Sequence, residues 1–232
     1  MNPWIESFLE TFFPNQCLLC SAPHPENLCD QCLMTIPQIP TVLTSSDNQL
    51  FRIPFTTKSE QLPKGSALQA CLVASEFKDT SLRHLIHGFK YKNLPQLSYP
   101  LSRILLQSLS HHIIPTNQTP FLCPVPLHPN RHKFRGYNQA ELLADHLSKD
   151  LHFPLYTDLV RIKHTRQQMR NQHRTDRIQN MTDAFQAKPT PSTNRPIILV
   201  DDVTTTLSTL EESAKALSQA GFKEIYAVVI AH

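Results

Sequence analysis

The chain has 232 residues, of which 40% are hydrophobic and 18% charged, and its net charge is +3. That length suits one good core with a small appendage, and so weak a positive balance permits phosphate or nucleic-acid partners without demanding them. No apolar run approaches the roughly eighteen residues of a membrane span, so a transmembrane protein is not expected.

In chain order, Trp4, Ile5, Phe8, Leu9, Phe12 and Phe13 recur at helical spacing and are accompanied by Glu6 and Glu10. They predict an amphipathic helix that packs on the protein or touches a partner or membrane surface. A basic leader is missing, so this is not a signal peptide, and a cytoplasmic location is expected, with peripheral contact at the inner membrane left open. Cys17, Cys20, Cys29 and Cys32 follow as two C-x-x-C pairs. In a chain without an export signal, such pairs favour a metal over disulfides. Two thiolates from each pair complete a tetrahedral S4 site, for which zinc is the expected occupant, in a structural role because a closed shell leaves no open position. Four unconnected core cysteines are the alternative, and His24 is a reserve ligand.

Residues 1–35 therefore form an N-terminal helix and zinc knuckle. Residues 36–69, rich in Pro, Ser, Thr and Gln without a period, are a linker or an irregular packed arm. From residue 70 to the end, strands alternate with helices. Strands are predicted at 70–77, 121–127, 158–162, 196–202 and 224–230, and helices at 80–91, 96–112, 138–151 and 207–220. This alternation predicts an α/β fold with a mostly parallel sheet flanked by helices. Cys71 and Cys123 fall inside apolar runs and are expected to be small core residues.

The chemistry concentrates in "ILVDDVTTTLSTL" (198–210), where an apolar strand ends in Asp201 and Asp202. Ligands of open parallel sheets bind beyond the carboxyl ends of strands. The amides of residues 204–209 would open a helix there, a natural anion site, with hydroxyls from Thr204, Thr205, Thr206, Ser208 and Thr209. Carboxylates do not bind phosphate, so the aspartates must serve sugar hydroxyls or a Mg²⁺ attached to them. A phosphate, a diol and a metal together describe a phosphorylated ribose. A capped helix with two solvated aspartates is the plainer alternative. A second basic feature is "RIKHTRQQMRNQHRTDR" (161–177), in which Arg166, Arg170, Arg174 and Arg177 would make one stripe on a helix. With Arg131 and Lys133 in a basic loop at 128–135, it suits a phosphate backbone, and sequence-independent single-strand contact is the most it supports. A solvated helix face, or a flap closing over pyrophosphate, would account for the same residues.

"VDDVTTTLSTL" resembles the 5-phosphoribosyl-1-pyrophosphate (PRPP) signature of type I phosphoribosyltransferases. Several further stretches make the chain resemble the ComF family: "CPVPLHPNRHKFRGYNQAELLA" (123–144), "HGFKYKN" (87–93), the paired C-x-x-C, and the pattern Thr165, Gln168, Arg177, Asn180, Ala184 and Phe185. These are competence-associated proteins with a zinc-binding N-terminus and a type I phosphoribosyltransferase-like domain. The resemblance implies that Asp201 and Asp202 hold the ribose hydroxyls. It implies that Thr205, Thr206, Ser208 and Thr209 hold the 5-phosphate, and that the turn after the 121–127 strand, with Arg135 and Gly136, takes pyrophosphate with Mg²⁺. Lys90 and Tyr91 match a family motif to which the sequence assigns no chemical role. The departure is Leu207, where the family usually has glycine. A leucine with φ > 0 costs about 1–2 kcal/mol, so either the loop is remodelled or phosphate binding is weaker, and Leu207→Gly is expected to tighten PRPP binding.

The expectation is a PRPP-binding protein handling incoming single-stranded DNA, with DNA-uptake or recombination proteins as partners. Its rivals are a metabolic phosphoribosyltransferase acting on a nitrogenous base, and a zinc-dependent scaffold whose PRPP site is vestigial.

Overall fold

A computed structural model describes residues 15–45, 48–54, 57–113, 118–162, 184–190 and 194–232. The amphipathic start and the stripe of Arg166, Arg170, Arg174 and Arg177 lie outside the described residues, as do Thr165, Gln168 and Asn180.

Six strands form the sheet: β1 (Thr41–Thr44), β2 (Lys58–Gln61), β3 (Ala70–Ser75), β4 (Phe121–Pro124), β7 (Ile197–Val203) and β8 (Ile225–Ala231). Their order is β2-β1-β3-β8-β7-β4, with β3, β8, β7 and β4 mutually parallel. Strand β1 runs antiparallel to β3, and β2 runs parallel to β1. The central strands are apolar almost throughout because helices cover both faces, and alternation would leave polar groups buried. Leu72, Ile198, Val200, Tyr226 and Val228 face one core, under α2 (Thr80–Tyr91), α3 (Ser98–His112) and α5 (Gln139–Leu151). Their neighbours Cys71, Val73, Leu199, Ala227 and Val229 face the other, under α6 (Ser208–Gln219), and Cys123 joins them. Burial pushes the thiols of Cys71 and Cys123 up, which fits their expected role as inert core residues.

Three differences from the sequence reading have physical causes. The stretch read as a linker or packed arm supplies β1 and β2, each only four residues long and too short to show a period. The strand expected at 158–162 exists as β5 (Leu159–Arg161), but it pairs antiparallel with β6 (Phe185–Ala187) in a separate ribbon. Residues 129–135, read as a loop, are the helix α4 (Pro129–Arg135). Pro129 sits where a missing N–H costs nothing, and Gly136 closes the helix at φ +79°.

The N-terminal knuckle is seated on this framework. Cys17, Leu28, Leu33 and Ile36 share the core that α2 and α3 line. At Gly88 a Cβ would stand 2.7 Å from Leu18 Cδ1, so the knuckle presses on α2 where that helix has no side chain.

Candidate functional site

Two clusters gather chemistry-bearing residues. In the first, the chain turns tightly after Cys17, with Ser21 N–H donating to the Cys17 carbonyl and Ser21 itself at φ +62°. Cys29 is the N-cap of α1 (Asp30–Met34), which places Cys32 one turn further on. The four sulfurs lie within 4.8 Å of one another, and Cys20 Sγ is 3.7 Å from Cys29 Sγ. Four Zn–S bonds of ~2.3 Å make a tetrahedron with edges of about 3.8 Å, so these residues fit such an ion. Burial opposes ionisation of Cys17, but N–H groups of Cys29, Cys20 and Leu19 outweigh it and bring its thiol to about 6. Cys32, hydrogen-bonded to the Cys29 and Cys20 thiols, is pushed up to about 12. One negative charge is easily placed here, and several need a cation. His24 is not among the clustered ligands; its Nδ1 accepts from the Glu26 amide.

The second cluster lies at the carboxyl end of β7. Asp201 Oδ1 accepts the Asp202 amide at 2.8 Å, and Asp202 Oδ1 accepts the Val203 amide at 2.6 Å. Asp202 is also paired with Lys90 Nζ at 2.9 Å. Burial, then the charge of Asp202, push the Asp201 carboxyl up to about 7, against the opposing pull of Lys90 and Arg135.

Beyond the aspartates the chain turns into α6. The Thr204 amide stays with the sheet, donating to Ala231, and the buried Thr204 hydroxyl accepts the Leu207 amide at 3.1 Å. Thr204 therefore shapes the turn, while Thr205 is exposed and Thr206, Ser208 and Thr209 are half-buried along it. The Thr206 and Ser208 hydroxyls are 2.8 Å apart. Leu207 has φ +58° and ψ −6°, so it takes the left-handed conformation that glycine takes easily. Its side chain is buried in the core beneath α6. The strain is thus offset by packing within the fold. Leu207→Gly is then expected to act on stability rather than to tighten ligand binding. Losing a buried leucine costs about 2–5 kcal/mol and relieving the strain returns about 1–2 kcal/mol. A net loss of up to about 4 kcal/mol should appear in urea unfolding.

Facing the aspartates are four cations from three parts of the chain. Arg131 is half-buried on α4, and burial followed by the nearby Arg135 lowers its pKa, while Tyr91, Asp201 and Asp202 hold its charge. Arg135 donates to Gln139 Oε1 at 3.0 Å and lies 5.3 Å from the Tyr91 ring centroid. Arg161, at the end of β5, stands 5.2 Å from the Phe185 ring. Burial and then Arg131 bring it down to about 10, and Asp201 opposes that shift. Lys90 completes the set. The quoted motifs interlock here: Tyr137 Oη and Gln139 Nε2 both donate to the Phe89 carbonyl, at 2.5 and 3.2 Å. The "RGYNQ" stretch thereby clamps the last turn of α2. Lys133 points elsewhere, exposed on α4 beside Phe134, which is 81% exposed.

The structure thus brings Asp201, Asp202, Thr205, Thr206, Leu207, Ser208, Thr209, Arg131 and Arg135 to one end of the sheet. The sequence reading quoted Lys90 without a role and counted Arg161 only as the start of a basic run. The signal that would have found Arg161 was its position at the close of a short strand, like the aspartates.

No family model matches the chain. It is 39% identical over 148 residues to Competence protein F of Haemophilus influenzae, an alignment covering 61% of this chain and 63% of that protein. It is 30% identical over 172 residues to the DNA utilization protein YhgH of Salmonella typhimurium, covering 69% and 73%. It is 35% identical over 100 residues to Competence protein ComFC of Bacillus subtilis, covering 43% and 39%. The chain thus spans less than two thirds of the Haemophilus relative's length.

Proposed function

Because the chain belongs to the ComF family of competence and DNA-utilization proteins, we propose that it is a cytoplasmic PRPP-binding protein that handles single-stranded DNA during natural transformation. One observation carries the reading: a buried Asp202, the half-buried Asp201 beside it and a left-handed residue at a helix start share a strand end with four cations. Opposite charges gathered this way suit a ligand that is itself divided, with a neutral diol at one end and phosphates at the other. Asp201 and Asp202 would hold the diol and the Mg²⁺ that accompanies it, which would supply positive charge to the phosphates. Thr205, Thr206, Ser208 and Thr209 with their amides hold the 5-phosphate. Arg131, Arg135, Arg161 and Gly136 surround the pyrophosphate. Zinc in the cysteine knuckle is structural. DNA meets the exposed side of α4 at Lys133, the basic residues Arg166, Arg170, Arg174 and Arg177 add phosphate contacts, and uptake or recombination proteins supply the strand. No helix among the described residues is long and apolar enough to cross a membrane.

The test pairs calorimetry of Mg-PRPP with anisotropy of a labelled single strand across a salt series, while pyrophosphate release is followed. Expected are PRPP binding and DNA binding that weakens steeply with salt. Replacing Lys133 by alanine should reduce the slope of log K against log salt by about 1 without weakening PRPP. Pyrophosphate release driven by a nitrogenous base would make the protein a metabolic phosphoribosyltransferase instead. Binding of neither ligand would leave a scaffold.

A further inference from the structure

We propose that Lys90 sets the specificity of the carboxylate site: it locks Asp202 in the free protein and leaves it only for a ligand that brings pyrophosphate. The inference rests on the phosphoribosyl reading above. The pair is mostly out of water, with 18% of the Lys90 side chain and 7% of the Asp202 side chain exposed, and Nζ and Oδ1 are 2.9 Å apart. The same oxygen accepts the Val203 amide, so Asp202 is already engaged before any ligand arrives. A sugar hydroxyl or a cation that approaches this carboxylate competes with the ammonium for it.

Breaking such a pair without replacing it leaves a charge buried alone, which is far more costly than the pair is stabilising. The ammonium therefore needs a second anion within reach. Its backbone is fixed, because the Phe89 carbonyl is held by both Tyr137 and Gln139. Its flexible stem leaves the head free to turn. The guanidinium groups of Arg131, Arg135 and Arg161 mark where an anion is wanted, close enough to Asp201 to affect its ionisation or to be affected by it. A pyrophosphate seated among them gives the ammonium its new partner. Ribose 5-phosphate supplies the diol and the 5-phosphate but nothing for Lys90 to move to. The lock thus discriminates between two ligands that share the whole sugar phosphate.

Calorimetry on the full chain with Mg²⁺ present, using PRPP and ribose 5-phosphate as separate titrants, tests this. A charge-assisted hydrogen bond is worth enough that Lys90→Met should weaken PRPP by about tenfold or more. Ribose 5-phosphate should bind unchanged or more tightly, so the ratio of the two affinities collapses. Lys90→Arg should restore part of the discrimination, since it keeps the charge. Thermal unfolding checks the folding of both variants, and Lys90→Arg carries the test if Lys90→Met does not fold. Equal weakening of both ligands, or no change in either, overturns the lock while leaving the phosphoribosyl site standing. A wild-type protein that binds neither overturns that site and the lock together.

Discussion

If the cysteine knuckle holds the proposed zinc, stripping it is expected to lower the melting temperature by about 10 °C, equivalent to about 3–5 kcal/mol in a chain of this size. Among the described residues the knuckle's helix is the five-residue α1, and its turns include Ser21 and Asn27 at positive φ. Yet it delivers Cys17, Leu28, Leu33 and Ile36 to a core shared with α2 and α3. When the sulfurs lose their common ion, the charge near Cys17 has no cation to balance it, and the turns that present those side chains relax. Melting curves with and without a strong chelator measure the effect, and Cys29→Ser should reproduce it. An unchanged melting temperature, with no zinc found by elemental analysis, would remove the metal from the account.

The second large effect has opposite signs in two measurements. Asp201→Asn should raise thermal stability above pH 7 while weakening PRPP by about tenfold or more, since a charged partner of the ligand is lost. The sign follows from linkage. Burial raises the Asp201 carboxyl from 3.8 to about 7 in the folded chain. Between those values the folded state holds a proton that the unfolded chain has released, so wild-type stability falls as pH rises and levels off above about 7. Asparagine cannot ionise, so the variant lacks that slope and gains most on the alkaline side. Ligand binding to the wild type should strengthen as pH rises through the same window, because a Mg²⁺-bearing ligand wants the ionised carboxylate. Melting curves at several pH values and calorimetry at two settle both arms. A variant less stable than wild type at pH 8 would contradict the buried-charge account. Stability given up for a binding group is what a ligand site requires of its fold.

The parallel strands and the aspartate pair were legible because both leave one-dimensional marks. A strand covered on both faces is a continuous apolar run, and β7 stops being apolar where its carboxyl end meets solvent. The four cysteines were legible for a similar reason, since ligand spacing is local. What stayed hidden is set by distance in sequence or by brevity. Strands β1 and β2 have four residues each and no period, and β6, the partner that turns β5 into a separate antiparallel ribbon, has three. Lys90 meets Asp202 only because "RGYNQ" holds the last turn of α2, an arrangement that neither segment announces alone. Leu207 was read correctly as an oddity of backbone conformation, but its compensation lies in side-chain packing beneath α6, which a motif cannot display.

The contact at Gly88 bears on how far the molecule can be taken apart. Leu18 occupies the space over that glycine, two residues before Lys90, so the knuckle cannot be treated as a removable tag. A chain trimmed to begin at residue 36 would uncover one side of α2 and leave a hollow where Leu18 had been. The helix that presents Lys90 to Asp202 would lose its outer support, and a shortened protein would be a poor stand-in for the whole one in any binding experiment.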